Sequence, residues 1–122
     1  FFLMKRVLII DDSAFQRKLL SATLLAEGLG VLEAKNGREG LEIGVRERPD
    51  LIILDLLMPE MDGFTFLKEW QQKGIHIPVF VFTSDIQTAT RTICIDLGAT
   101  GFLNKPLKKD ELSRCISPYV ME

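Results

Sequence analysis

Four short apolar runs punctuate the chain: Val7-Leu8-Ile9-Ile10, Leu51-Ile52-Ile53-Leu54, Val79-Phe80-Val81-Phe82 and the pair Phe102-Leu103. Runs this brief, rich in Val, Ile and Phe, read as strands buried on both faces. The full pattern predicts strands over 6–10, 31–34, 51–55, 78–82 and 101–104. Helices are predicted over 13–27, 37–48, 64–73, 86–97 and 108–117. The punctuation agrees. Ser13 can cap the first helix, and Gly28 and Gly30 end it. Asn36-Gly37 opens the second helix, and Pro49-Asp50 stops it. Gly74 and Gly98 follow the third and fourth, and Pro118 stands near the end of the fifth.

Strand and helix thus alternate five times. Each helix returns the chain to start another strand in the same direction, which implies a parallel sheet covered on both faces. The expected fold is α/β: a doubly wound five-stranded parallel sheet in the flavodoxin-like order 2-1-3-4-5.

That topology gives the polar residues after each apolar run a common address. Asp11 and Asp12 follow the first strand, Asp55 ends the third, Thr83 follows the fourth and Lys105 the fifth. In a parallel sheet all of them collect at the carboxyl edge, where open α/β sheets place their chemistry. Taken singly, each has a plain explanation. An Asp-Asp pair caps a helix more often than it binds metal, a lone Thr is usually a turn residue, and a lone Lys is usually solvated surface. Together they are harder to dismiss. Three carboxylates within a few ångströms repel one another strongly in a partly dry site. A hard divalent cation such as Mg²⁺ would compensate, taking one or two carboxylate oxygens and keeping several waters. Lys105, fixed by Pro106 behind it, could hold an anion beside that metal, and the Thr83 hydroxyl could donate to the same anion. These are the parts of phosphoryl transfer, with Asp55 as nucleophile.

Composition narrows the field. The chain has 122 residues, enough for one domain with a proper core, and a net charge of −2. Its 15 Lys and Arg are scattered among 17 acids, so no nucleic-acid footprint is expected. No apolar stretch is long enough to cross a membrane. Cys94 and Cys115 match no metal spacing and read as free thiols of a reduced, cytoplasmic protein. Nucleotide folds fit poorly: no GxGxxG follows the first strand, no GxxxxGK[ST] occurs, and an Asp-Asp-Ser loop would repel a bound phosphate. Met4 reads as the natural start, so the expected domain is 4–122, with Phe1 to Leu3 as an added leader.

The same residues resemble the response-regulator receiver domain, the CheY-like family of two-component signalling. The resemblance runs from Lys5 onward. It is carried by Val7-Leu8-Ile9-Ile10-Asp11-Asp12, Ala34-Lys35-Asn36-Gly37, Pro49-Asp50-Leu51-Ile52-Ile53-Leu54-Asp55, Met58-Pro59-Glu60-Met61-Asp62-Gly63, Thr83-Ser84, Gly98-Ala99 and Phe102-Leu103-Asn104-Lys105-Pro106. It implies that Asp55 is the phosphoacceptor. It also implies that Asp12 and Asp55 bind Mg²⁺ directly, Asp11 through water, and that the Leu57 main-chain carbonyl adds a ligand. Lys105 would bind the phosphoryl group, the Lys105-Pro106 peptide would be cis, Thr83 would be the switch hydroxyl and Phe102 the switch aromatic. Leu57 and Asp85 occupy positions that tune phosphoryl lifetime in the family; Leu57 cannot align water, whereas Asp85 could, or could pair with a cation. The implied partners are a sensor histidine kinase or phosphotransfer protein and a downstream protein that meets the fourth helix, fifth strand and fifth helix. The resting state is expected to be monomeric, with dimerisation on phosphorylation as an alternative. A turnover enzyme is not expected. Two rivals remain: a degenerate receiver that binds partners without phosphorylation, and an aspartate-nucleophile phosphohydrolase. The latter needs a second Asp where Leu57 stands.

The other conspicuous residues have plain readings. His76, the only histidine, is expected on the surface at the edge opposite the acids. Phe66 and Trp70 are expected in the core, and Met58 and Met61 should shape the loop beside Asp55.

Overall fold

The computed structural model describes residues 4–121. The elements run β1 (Arg6–Ile10), α1 (Ala14–Ala26), β2 (Gly30–Ala34), α2 (Gly37–Glu47), β3 (Leu51–Asp55), α3 (Gly63–Gln72), β4 (Val79–Thr83), α4 (Thr88–Asp96), β5 (Gly101–Asn104) and α5 (Lys109–Val120). All strand pairs are parallel, in the order β2-β1-β3-β4-β5.

The period of two along each strand divides the core. Leu8, Ile10, Ile52, Leu54, Val79 and Val81 face one side, against Leu41 of α2, Phe66, Leu67 and Trp70 of α3, and Cys94 of α4. Val7, Ile9, Leu51, Ile53, Phe80, Phe82 and Leu103 face the other, against Leu20 and Leu24 of α1 and Leu112, Ile116 and Val120 of α5. Burial on both faces is why β3 and β4 carry no inward-outward polarity pattern. Phe66 and Trp70, one turn apart on α3, stack with ring centroids 5.8 Å apart.

Three helices begin on side-chain caps. Ser13, Asn36 and Asp62 accept from the backbone N–H groups of Gln16, Glu39 and Thr65. α4 begins on Gln87, whose side chain makes no such bond. Glycine allows one close approach that fixes the site. A Cβ on Gly63 would lie 2.6 Å from the Asp55 carbonyl oxygen and 2.7 Å from Leu56 Cα. The Gly63 N–H also donates to the Leu56 carbonyl at 2.9 Å, so α3 starts hard against the end of β3.

The largest departures from the sequence-based boundaries are at α4 and α5. α4 starts at Thr88 rather than 86, and α5 runs through Pro118 to Val120 instead of stopping near 117. Burial explains the latter: Val120 is in the core and Tyr119 packs edge-on against Phe80, which outweighs the missing proline N–H.

Candidate functional site

The carboxyl edge of the sheet collects the predicted polar groups. Asp11 and Asp55 are buried, and Asp12 is exposed at the rim. One carboxylate oxygen from each of these three lies within 4.8 Å of the others. Such an all-oxygen donor set suits a hard divalent cation. Lys105 reaches into the cluster, with Nζ 3.3 Å from Asp55 Oδ1 and 3.6 Å from Asp11 Oδ2. Its ammonium also lies 5.3 Å from the centroid of the Phe82 ring. The peptide between Lys105 and Pro106 is cis.

Backbone contacts hold these groups in place. Asp11 Oδ1 accepts from the Ser13 N–H at 2.8 Å, while Asp11 Oδ2 is buried with no hydrogen-bond donor among the described residues. Asp55 Oδ1 accepts a long 3.4 Å bond from the Leu57 N–H. Burial, followed by the neighbouring Asp11 charge, pushes the Asp55 carboxyl above the usual aspartate range; Lys105 opposes the rise only in part. The pocket therefore holds more negative charge than its single ammonium neutralises, and Asp11 Oδ2, without a hydrogen bond, meets only that ammonium at 3.6 Å. A hard cation would balance that charge.

Thr83 ends β4 beside this cluster, buried, and pairs in register with Asn104 across the sheet. Its Oγ1 accepts from the Asp85 N–H at 3.1 Å. The Thr83 carbonyl accepts from the Lys105 N–H at 2.9 Å, which ties the hydroxyl-bearing and ammonium-bearing strands together at their ends.

A family profile described as the response regulator receiver domain matches residues 7–117. The chain belongs to the response regulator receiver domain family. Chemotaxis protein CheY of Bacillus subtilis is 35% identical over 113 residues, covering 92% of this chain and 94% of that protein. The protein-glutamate methylesterase/protein-glutamine glutaminase of Treponema denticola is 43% identical over 105 residues, covering 83% of this chain. The match spans 28% of that enzyme's length, and a similar match spans 46% of response regulator MprA of Mycolicibacterium vanbaalenii. The solved structure of the chemotaxis protein CheY4 of Vibrio cholerae superimposes with a TM-score of 0.91 at 33% identity, covering 96% of this chain and 99% of that one.

In this receiver the remaining sequence-derived candidates separate clearly. Leu57 is 75% exposed, with its side chain turned to solvent beside the acid pocket. Phe102 is half-buried on β5, and the Arg91 guanidinium sits 4.6 Å above its ring. His76 is exposed at the opposite end of the sheet. There, a groove of about 510 Å³ lined by Trp70, Ile77, Leu97 and Tyr119 carries no carboxylate. Asp85 is engaged: Oδ1 accepts from the Gln87 N–H at 2.9 Å and Oδ2 from the Thr90 hydroxyl at 2.7 Å. Those bonds, Thr90 first, hold its carboxyl below the usual range.

Two contributors escaped the sequence reading. Arg17 on α1 donates from Nη1 to the Asp11 carbonyl at 2.7 Å and from Nε to Glu33 Oε1 at 3.1 Å. It pins the loop that carries Asp11 and Asp12. Helical side chains lean toward the N-terminus, so an Arg four residues past the cap is placed for that reach. Thr90 is the other; nothing in its neighbours announced a partner five residues back.

Proposed function

We propose that this receiver is a phosphorylation-dependent switch whose acceptor is Asp55. The observation that carries the reading is the convergence of Asp11, Asp12, Asp55 and Lys105 on one point. A buried carboxylate with an ammonium at contact distance and further acids around it suits in-line attack on a phosphoryl group. It suits little else.

Mg²⁺ fits the donors, since the buried Asp11 Oδ2 accepts no hydrogen bond and all three groups are hard oxygens. Asp12 and Asp55 would hold it directly, Asp11 through water, with the Leu57 carbonyl as a further ligand. When bound, Mg²⁺ would neutralise charge on the transferring phosphoryl oxygens. The protein supplies the rest. Asp55 Oδ attacks phosphorus in the donor, and the bond from phosphorus to the donor breaks with its electrons leaving on the donor. Lys105 Nζ neutralises an oxygen of the transferred group. The Thr83 hydroxyl donates to another, drawing β4 toward the acceptor.

A sensor histidine kinase or phosphotransfer protein is the donor this reading implies, and the setting is cytoplasmic. The protein takes part in its own modification and does not turn over an external substrate. The output surface is the face of α4, β5 and α5, where the strands bearing Thr83 and Lys105 lead. The monomer is the resting form.

The test is direct. Incubation with Mg²⁺ and acetyl phosphate should add one phosphoryl group by intact mass, and Asp55→Asn should add none. Label persisting in Asp55→Asn would overturn the acceptor assignment. Unlabelled parent protein under the same conditions would favour a degenerate receiver.

A further inference from the structure

We propose that Thr90 is a positioning residue that prolongs the phosphorylated state by holding Asp85 away from hydrolytic water. The inference rests on Asp55 being the acceptor and adds to it a determinant of how long the modification lasts.

Loss of the phosphoryl group from Asp55 needs a water oxygen to bond to phosphorus. The bond between phosphorus and the Asp55 oxygen breaks, and its electron pair stays with the regenerated carboxylate. The water must shed a proton, and a carboxylate beside the site is the natural acceptor. Asp85 is the candidate. Its own N–H is bonded to the Thr83 hydroxyl oxygen, so its backbone is tethered to the edge of the site. Its carboxylate is occupied at both oxygens, by the Gln87 N–H and the Thr90 hydroxyl.

This arrangement does two things. The bond to Gln87 forms a turn at the start of α4, where Gln87 supplies no side-chain cap of its own. The bond to Thr90, a buried residue in the first turn of the helix, fixes the other oxygen at 2.7 Å. An Asp held by one bond could swing about its side-chain torsions; held by two, from both ends of a helical turn, it cannot. On the other flank of Asp55 the Leu57 side chain is apolar and points to solvent. Neither flank then offers water a base.

The experiment compares loss of label from protein phosphorylated with acetyl phosphate and Mg²⁺, then freed of donor by rapid desalting. Thr90→Val keeps the shape and deletes the hydroxyl. It should shorten the half-life on the order of tenfold, below the roughly hundredfold minimum of a purpose-placed general base. Thr90→Ser should restore the parent rate. Asp85→Ala should behave like the parent, and Asp85→Ala combined with Thr90→Val should lose the acceleration. A general loosening of α4 would instead persist in that double variant and would overturn the proposal. So would labelled Thr90→Val decaying at the parent rate. Thr90→Ala serves the same comparison should the valine variant fold poorly. An unlabelled parent would defeat the acceptor reading itself, and this inference with it; label with unchanged decay would defeat this inference alone.

Discussion

Lys105 and Asp55, fifty residues apart in sequence, meet with Nζ 3.3 Å from Oδ1. The contact joins the end of the last strand to the central one across β4, and Lys105 is the only cation paired with the buried carboxylates among the described residues. Its insufficiency has a measurable signature. Asp55 titrates higher in the folded protein than in the unfolded chain, because burial and Asp11 outweigh Lys105. The native state then holds that proton more tightly. Its contribution to stability is full below the unfolded value and is lost as pH rises through the folded one. Asp55→Asn removes the titration. In metal-free buffer its melting temperature should exceed the parent's near neutral pH by about 4 °C, which corresponds to ~1 kcal/mol in a domain of this size. The gap should shrink as the pH is lowered toward 4. Thermal melts across that range, with chelator present, check both sign and slope; a gap independent of pH would contradict the titration.

Mg²⁺ should stabilise the fold. A ligand that binds only the native state adds about 2.7 kcal/mol at a hundredfold excess over its dissociation constant. Melting curves over a Mg²⁺ titration should rise accordingly for the parent and stay nearly flat for Asp12→Asn, since Asp12 is the exposed donor at the rim. Equal responses in the two proteins would remove Asp12 from the ligand set.

Two glycine substitutions should differ sharply. In Gly63→Ala the new methyl meets backbone: the Asp55 oxygen at 2.6 Å and Leu56 Cα at 2.7 Å. In Gly40→Ala it meets only side chain, Ile10 Cδ1 at 2.5 Å and Cγ1 at 2.9 Å, which can shift more readily than backbone. Gly63→Ala should cost about 3 kcal/mol or more, the top of the usual overpacking range, and Gly40→Ala about 1 kcal/mol. Urea unfolding of both variants orders them; equal midpoints would show that α3 can retreat from β3.

Beryllofluoride, which mimics the phosphoryl group, should shift amide resonances beyond the pocket. The expected path runs from Thr83 to α4 and to Phe102, where the Arg91 guanidinium now covers the ring at 4.6 Å. Two packings of Phe102 need differ by only a few kcal/mol for the modification to choose between them. Changes confined to the loops around Asp11 and Asp55, with Phe102 and α4 silent, would refute output through the α4, β5 and α5 face.

Much of this was legible because the informative residues obey local rules. The all-apolar Leu51-Ile52-Ile53-Leu54 run can be little other than a doubly buried strand, and the residue after it must then reach the carboxyl edge. Asp11, Asp12, Asp55, Thr83 and Lys105 were all found by that argument, and the structure brings them to one edge. The start of α4 was not legible. Ile86 looked like a helical residue by spacing, but the Asp85 side chain takes the Gln87 N–H and delays the helix to Thr88. The same bond helps fix the Asp85 carboxylate, which the sequence left free either to align water or to pair with a cation. Arg17 was missed for a related reason: its partner is a main-chain carbonyl, which leaves no mark in the sequence. Pro118 misled in the opposite direction, since the burial of Val120 that carries α5 past it is a tertiary effect.

The contact between Gly63 and the end of β3 divides the molecule into an anvil and a lever. Asp55 is mounted on the anvil: its strand is central, and α3 begins against its carbonyl with a side-chain cap and an aromatic stack behind it. α4 has no cap from its own first residue and carries buried side chains only at Thr90 and Cys94. Under the proposed phosphorylation, a charge added at Asp55 would find its own mounting unable to yield. The work it did would be delivered to the other side of the pocket, giving the signal a direction before any partner arrived.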